Sequence, residues 1–328
     1  MKLFVANYNP RTVFLLDGLE KWLTENGIEF KKIQKAAPEK IIEQARDAEI
    51  FLATNPTVVD KSLLSSLPNL KFILAWGNGY DQVDVDEVNR LEIPMSNAGA
   101  YSNPDVAEMA LTLIFACGKR LPEHITIAHS RKWTDRLDLH PLYRFTGRTM
   151  GLLGFGKIAR DLCWRLAGLR FKVLATDPYV SAEEMSEHMA QKVEQEELLR
   201  SSDYISLHLR LNDETRNIMD EKSLHQMKRG AYLINVSRGG LIDEEALVKA
   251  LREGWIAGAG LDVRVKEPPA ENDPLSDFPN VILTPHAGAG TEGSKREHVE
   301  NWSHSVKDFI EGNYPLWNQI NPQVKRRF

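Results

Sequence analysis

The chain has 328 residues, of which 42% are hydrophobic and 27% charged, and its formal net charge is −5. This length can bury the cores of about two domains. Charges of both signs are interspersed, which argues against binding to nucleic acid or to an anionic membrane surface. We see no signal peptide and no membrane span of ~18 apolar residues, and we expect a cytoplasmic protein.

Short apolar runs rich in β-branched residues recur along the chain, and helical patterns separate them. This alternation predicts parallel β-sheets with helices on both faces, the α/β class. The predicted strands include Lys2–Asn7, Glu49–Thr54, Lys71–Trp76, Met150–Gly154, Lys172–Asp177, Tyr204–Leu209, Tyr232–Ser237, Gly258–Val263 and Val281–His286.

Two long helical patterns divide this series. The first runs from Pro104 to Ala128, where Pro122 should kink or interrupt it. The second runs from Glu292 to Glu311 and should return the chain to the first domain. We therefore expect a discontinuous substrate-binding domain, residues 1–99 with 288–328, and a nucleotide-binding domain, residues 100–287. The two cysteines, Cys117 and Cys163, fall in apolar helical patterns and should be buried, reduced thiols.

A glycine-rich turn links a predicted strand to a predicted helix after Met150. Gly154 should make the tight turn, Gly156 should let the backbone approach a pyrophosphate, and Ala159 should let helix and strand pack closely. The next strand ends in Asp177, 21 residues after Gly156, the spacing at which a carboxylate binds the adenosine ribose. The predicted cofactor contacts here are Gly154, Phe155, Gly156, Lys157, Ile158 and Asp177.

Asp177 also bears on the choice of cofactor. A carboxylate at this point would repel a 2′-phosphate, and the following residues, Pro178 and Tyr179, supply no arginine to bind one. The sequence therefore favours NAD over NADP.

Four further segments lie at or just beyond the carboxyl ends of predicted strands, where ligands bind in open α/β sheets. Two more lie upstream, and no metal-binding pattern accompanies them. In order and spacing the six segments resemble the D-isomer-specific 2-hydroxyacid dehydrogenase family, over nearly the whole chain. The segments are Gly77–Asp81, Asn103–Glu108, Asn235–Gly240, Leu261–Val263, Glu267–Pro268 and Thr284–Gly288.

The resemblance implies a fold, an activity and an assembly. The fold would be two Rossmann-like or flavodoxin-like parallel-sheet domains, and the activity would be hydride transfer between NAD(H) and a small 2-keto or 2-hydroxy acid. Family members are usually homodimers joined through the NAD domain, and the apolar helix from Pro104 is a candidate for that contact.

Reduction of a keto acid needs a proton donor that titrates near neutrality and a cation that polarises the carbonyl. The resemblance implies His286 as the donor, Glu267 as the carboxylate that holds its ring, and Arg238 as the cation. It also implies that backbone N–H groups of Asn78 and Gly79 bind the substrate carboxylate. Further implied cofactor contacts are Val236, Ser237, Arg238, Asp262 (to the nicotinamide amide), His286 and Gly288.

The substrate side chain is less constrained. The loops at 54–57 and 77–79, which should face the active site, contain no lysine or arginine, which favours an uncharged side chain as in glyoxylate or hydroxypyruvate. Two alternatives stay open at this point: an NAD(H)-sensing binding protein similar to the dehydrogenase-related corepressors, and a dehydrogenase of a phosphonate or sugar acid.

Overall fold

The computed structural model describes residues 1–8, 13–131 and 142–325. The chain forms two compact units: the first comprises residues 1–102 and 291–328, and the second comprises residues 103–290. The boundaries predicted from the sequence differ from these by three residues at each junction.

The first unit is built on a five-stranded sheet in the order β2-β1-β3-β4-β5. All its neighbouring strands are parallel, and this is the flavodoxin-like order. β3 and β4 are buried along their whole length, because helices cover both faces. The elements are β1 (Lys2–Ala6), α1 (Val13–Glu25), β2 (Glu29–Ile33), α2 (Pro38–Ala45), β3 (Ile50–Ala53), α3 (Lys61–Ser65), β4 (Phe72–Ala75), α4 (Val85–Arg90), β5 (Met95–Ser96) and, after the second unit, α12 (Glu292–Glu311).

The second unit is built on a seven-stranded parallel sheet in the order β12-β11-β10-β9-β6-β7-β8. When β6 is numbered as strand 1 and the sheet is read from β8 to β12, the order is 3-2-1-4-5-6-7. This is the doubly wound 3-2-1-4-5-6 order with one strand added. The elements are α5 (Asn103–Gly118), α6 (Leu121–His129), β6 (Thr149–Leu153), α7 (Lys157–Ala167), β7 (Lys172–Thr176), α8 (Ala182–Glu187), β8 (Ala190–Lys192), α9 (Gln195–Ser201), β9 (Tyr204–Leu207), α10 (Glu221–Gln226), β10 (Tyr232–Asn235), α11 (Glu244–Arg252), β11 (Gly258–Leu261) and β12 (Val281–Leu283).

Every strand predicted above is present, so the α/β class is confirmed. The structure adds three strands, β2, β5 and β8, each of which lies at the edge of its sheet. Edge strands need little apolar sequence: β2 has no buried residue, and β5 is two residues long. The apolar pattern that finds central strands is therefore missing from them.

The helical pattern after Asn103 is two helices rather than one. α5 ends at Gly118, Arg120 adopts a left-handed conformation (φ +48°), and Pro122 lies in the first turn of α6. The predicted interruption is thus confirmed, two residues before the proline. The buried residues of α5 pack against α7 and the sheet inside the unit, and the predicted contact of this helix with a partner chain stays a prediction.

Both cysteines are buried and free, as predicted. Burial raises the pKa of the Cys117 and Cys163 thiols to about 12, because a thiolate is poorly solvated among apolar side chains. Within the described residues, no helix is both long and apolar enough to cross a lipid bilayer.

Candidate active site

The turn after β6 has the shape that the glycine pattern predicts. Gly154 has φ +87°, and a Cβ at this residue would lie 2.5 Å from the carbonyl oxygen of His208. Only glycine combines this backbone angle with so close a contact. The chain therefore passes from β6 into α7 close beside the end of β9.

The amino end of α7 is open. Gly156 is its N-cap and offers no side chain to the first turn, so the N–H groups of Lys157 and Ile158 point outward. A Cβ at Gly156 would meet nothing within 4 Å. Unpaired N–H groups beside open space, at the positive end of a helix dipole, fit the pyrophosphate of a dinucleotide.

Asp177 follows β7 and is bound to this turn. Its two carboxylate oxygens accept hydrogen bonds from the N–H groups of Phe155 (2.8 Å) and Tyr179 (2.9 Å). Each oxygen keeps a further lone pair for a ribose hydroxyl. The carboxylate therefore fits the adenosine ribose and is already oriented for it.

The turn lies at the topological switch point of the sheet. β6 has β7 on one side and β9 on the other, so the connections that follow β6 and β9 run to opposite faces. In doubly wound sheets this divergence forms the ligand crevice. Gly154 and His208 mark its two sides.

The turn that carries Arg238 is held by hydrogen bonds at its base. The Asn235 side chain accepts from the Ser237 N–H (3.0 Å) and donates to the Arg238 carbonyl oxygen (2.8 Å). The Ser237 hydroxyl donates to the Leu207 carbonyl oxygen at the end of β9 (2.7 Å), and Val236 is buried. These hydrogen bonds make the turn rigid, and the side chain of Arg238 that it carries is half-exposed.

Asp262, which is 2% exposed, organises the turn after β12. Its carboxylate accepts hydrogen bonds from the Thr284 hydroxyl and from the N–H groups of Ala287 (2.8 Å) and Gly288 (2.9 Å). Its carbonyl oxygen accepts from the N–H of His286 (2.8 Å). The predicted nicotinamide contact stays a prediction, whereas support of the His286 turn is a role that the sequence did not indicate.

His286 and Glu267 form the pair that the sequence predicts. Nδ1 of His286 lies 2.7 Å from Oε2 of Glu267, and the side chains are 39% and 37% exposed. Burial alone would raise the pKa of Glu267, but hydrogen bonds from His286 and the Arg264 N–H, with the charge of Arg238, hold it below its usual value. The carboxylate is therefore ionised at neutral pH, and the contact with Glu267 uses only Nδ1 of the two His286 ring nitrogens.

The two predicted substrate-binding residues, Asn78 and Gly79, lie in the first unit, in the loop after β4. The Asn78 amide donates to the Ser102 hydroxyl (3.3 Å), and the Asn97 amide donates to the Asn78 carbonyl oxygen (3.0 Å). Within the described part of the chain, neither the backbone N–H of Asn78 nor that of Gly79 donates a hydrogen bond to another residue. Both N–H groups are therefore available to an anion.

Sequence reasoning missed two residues that shape these regions. Arg264 forms ion pairs with Glu244 and Asp273 close to Glu267. The only feature of the sequence that could have indicated this role was a cation directly after the Leu261–Val263 segment. His298 is buried on α12 and donates to the carbonyl oxygen of Trp76, next to the Gly77 loop. Its signal was a histidine among the buried positions of a helix, which more often marks a core residue than a functional one.

Comparison with known proteins agrees with this geometry. Residues 111–288 match the family model described as D-isomer specific 2-hydroxyacid dehydrogenase, NAD binding domain. The chain belongs to that family. It is 36% identical to a glyoxylate reductase of Thermococcus litoralis, over 98% of this chain and 97% of the relative.

Solved structures of similar proteins share the fold over nearly the whole chain. A glyoxylate reductase from Paecilomyes thermophila superposes with a TM-score of 0.85 at 29% identity, covering 98% of this chain and 99% of that one. A D-lactate dehydrogenase from Aquifex aeolicus, complexed with NAD and lactic acid, gives 0.81 at 26%, covering 95% and 96%. The family member described here is an NAD-dependent oxidoreductase of 2-hydroxy and 2-keto acids, and the sensor alternative is not favoured.

Proposed function

We propose that the protein reduces a small 2-keto acid with an uncharged side chain to the D-2-hydroxy acid, with His286 as the proton donor. The observation that carries the assignment is the His286–Glu267 pair, a half-exposed imidazole hydrogen-bonded to an ionised carboxylate. When bound, NADH supplies the hydride to the carbonyl carbon. The protein must then deliver one proton to the carbonyl oxygen, which Nε2 of His286 does in the reductive direction.

The other side chains bind and orient. Arg238 polarises the keto oxygen and binds the substrate carboxylate, while the N–H groups of Asn78 and Gly79 bind the same carboxylate. Glu267 accepts a hydrogen bond from Nδ1 of His286 and so holds the ring with Nε2 toward the substrate. The loops at 54–57 and 77–79 contain no lysine or arginine, which supports a substrate without a second negative charge.

The N–H groups of Lys157 and Ile158 bind the pyrophosphate, and Asp177 binds the adenosine ribose hydroxyls. We assign the remaining cofactor contacts to residues at the ends of β6, β10, β11 and β12. These are Gly154, Phe155, Gly156, Val236, Ser237, Arg238, Asp262, His286 and Gly288.

A substrate panel tests this function. Purified protein is assayed for oxidation of NADH and, separately, NADPH against glyoxylate, hydroxypyruvate, pyruvate, larger 2-keto acids, one phosphorylated 2-keto acid, a phosphonate and a sugar acid. We expect turnover with NADH on the small acids with uncharged side chains and little on the phosphorylated one. Tight NADH binding without turnover on any member would contradict the proposal and favour a sensor, and turnover confined to phosphonates or sugar acids would reassign the substrate.

We also propose a homodimer in the cytoplasm. Support comes from α6, on which no residue is buried within its unit and Leu121 and Ile125 are 47% and 48% exposed. Exposed apolar side chains one turn apart on a helix are typical of a covered interface. Sedimentation should show a dimer that Leu121→Glu with Ile125→Glu dissociates, and a monomeric parent protein would refute the assembly.

A further inference from the structure

The carboxylate that holds His286 lies on an exposed loop. After Val263 the chain crosses residues 265–272, all of them exposed, before it is buried again at Asp273. Glu267 lies within this stretch and has no core packing of its own. Its position must therefore be fixed by polar contacts at the ends of the loop.

Arg264 supplies those contacts. Its side chain is 9% exposed, and its guanidinium donates to both carboxylate oxygens of Asp273, where the loop ends. The same guanidinium donates to both oxygens of Glu244 at the start of α11, at 2.9 and 3.2 Å. One buried cation thus joins the two ends of the loop to each other and to a helix.

The backbone of Arg264 reaches the functional groups directly. Its N–H donates to Oε1 of Glu267 (3.0 Å), while Oε2 of the same carboxylate contacts His286. On the other side it meets the Arg238 turn: a Cβ at Gly239 would lie 1.9 Å from the carbonyl carbon of Arg264. Arg264 therefore lies between the turn that carries Arg238 and the carboxylate that orients His286.

We propose that Arg264 is a positioning residue, which fixes Glu267 against His286 and thereby holds the imidazole in place for proton transfer. It touches neither the proposed substrate nor the proposed cofactor contacts with its side chain. The inference rests on the proposed function, since it assigns Arg264 a part in the proton transfer by His286. The guanidinium also holds the pKa of Asp273 below its usual value, which keeps the loop anchor charged.

The test compares Arg264→Met with Glu267→Gln and with Arg148→Met. Arg148 is a matched control, because it forms an ion pair with Asp203 (2.9 Å) in the same unit and lies just before β6, at the amino end of the strand and so at the end opposite the site. For each variant, kcat and KM of NADH-dependent keto acid reduction are measured, together with thermal stability.

For Arg264→Met we expect kcat to fall about 10- to 100-fold, as a misplaced catalytic group predicts, while KM for NADH stays unchanged. Glu267→Gln should lower kcat further and also leave KM for NADH unchanged. Arg148→Met should lose stability and keep the wild-type kcat.

The outcomes separate the two proposals. If Glu267→Gln lowers kcat and Arg264→Met does not, Arg264 is only structural and the inference is wrong. If Glu267→Gln leaves kcat unchanged, the role proposed for the His286–Glu267 pair in proton transfer is itself wrong. Should Arg264→Met not fold, Arg264→Lys serves instead, because it keeps the charge but cannot bridge both carboxylates. Its kcat must then lie between those of wild type and Glu267→Gln, and a wild-type kcat would overturn the inference.

Discussion

Two histidines in this protein show how surroundings decide a role. His286, in the second unit, is 39% exposed and bound to a carboxylate, whereas His298, in the first unit, is 3% exposed and bound to a backbone carbonyl. Burial lowers the pKa of His298 to about 4, although its hydrogen bond to Trp76 opposes this. We propose that the first imidazole exchanges protons with the substrate, whereas burial holds the second neutral.

The surroundings of His298 make it a structural support. Its ring stacks on Tyr101 at a centroid distance of 4.0 Å and packs against Trp302 at 4.2 Å. The carbonyl that it binds belongs to Trp76, immediately before Gly77 in the proposed substrate loop. The comparison teaches that a neutral buried histidine stabilises a loop, whereas an exposed one beside a carboxylate can do chemistry. Substitutions at the two positions should therefore affect different quantities.

The largest expected effect is that of His286→Asn on turnover. Asparagine tolerates the left-handed conformation of this residue (φ +53°) but cannot donate the proton. kcat should fall by about three orders of magnitude, equivalent to about 4 kcal/mol in the barrier, with NADH affinity and melting temperature retained. Steady-state kinetics and calorimetry check this, with exposed His304→Asn as the control. Unchanged kcat would remove His286 from the proton-transfer role.

For His298→Ala we expect the loss to be in stability rather than in kcat. The substitution leaves a cavity among aromatic rings and an unpaired buried carbonyl, so unfolding free energy should fall by about 3 kcal/mol. Chemical denaturation measures this loss. If stability were unaffected while kcat fell as far as in His286→Asn, the contrast between the two histidines would be wrong.

The two histidines that burial keeps neutral should make the fold acid-sensitive. Burial also lowers the pKa of His208 to about 4, while an unfolded histidine titrates near 6.5. Below about pH 6.5 the unfolded chain therefore binds protons that the folded chain does not, and stability is lost progressively down to about pH 4. Each histidine should contribute a loss of about 2 kcal/mol between about pH 7 and pH 5.

His298→Gln tests this assignment, because glutamine can still donate to the Trp76 carbonyl but does not titrate. Denaturation midpoints at several pH values should fall less steeply on acidification than in the parent protein. His304→Gln, an exposed position on the same helix, should leave the slope unaltered. A slope in His298→Gln equal to that of the parent would place the acid sensitivity elsewhere.

Two aspartates differ in the same way as the two histidines, one being buried and one half-exposed, and substitution of the half-exposed one should have the smallest effect. Asp262 is buried and bound by the His286 turn, whereas Asp177 is half-exposed and keeps lone pairs for a ligand. Asp177→Ser should narrow the preference for NADH over NADPH about tenfold, because it removes the charge that repels a 2′-phosphate. Ratios of kcat/KM for the two cofactors check this. An unaltered ratio would mean that the ribose is bound by other residues.

The sequence predicted those features that follow from a repeating or spaced pattern. Central strands and the Gly154–Asp177 unit have such patterns, whereas the His286–Glu267 partnership was implied by the resemblance to the family. The strands and the partnership are present in the structure. The edge strands β2, β5 and β8 lack an apolar run, so they were missed. The contacts of Asp262, Arg264 and His298 depend on which residues the turns bring together, and no spacing along the chain encodes that.

The most direct test of the central claim is the handedness of the product. The protein is supplied with NADH and a prochiral 2-keto acid such as hydroxypyruvate, and the 2-hydroxy acid is resolved by chiral chromatography while NADH consumption is followed. The account predicts one D-hydroxy acid formed for each NADH oxidised, with formation abolished in His286→Asn. Formation of the L-enantiomer, or NADH oxidation without hydroxy acid, would contradict it.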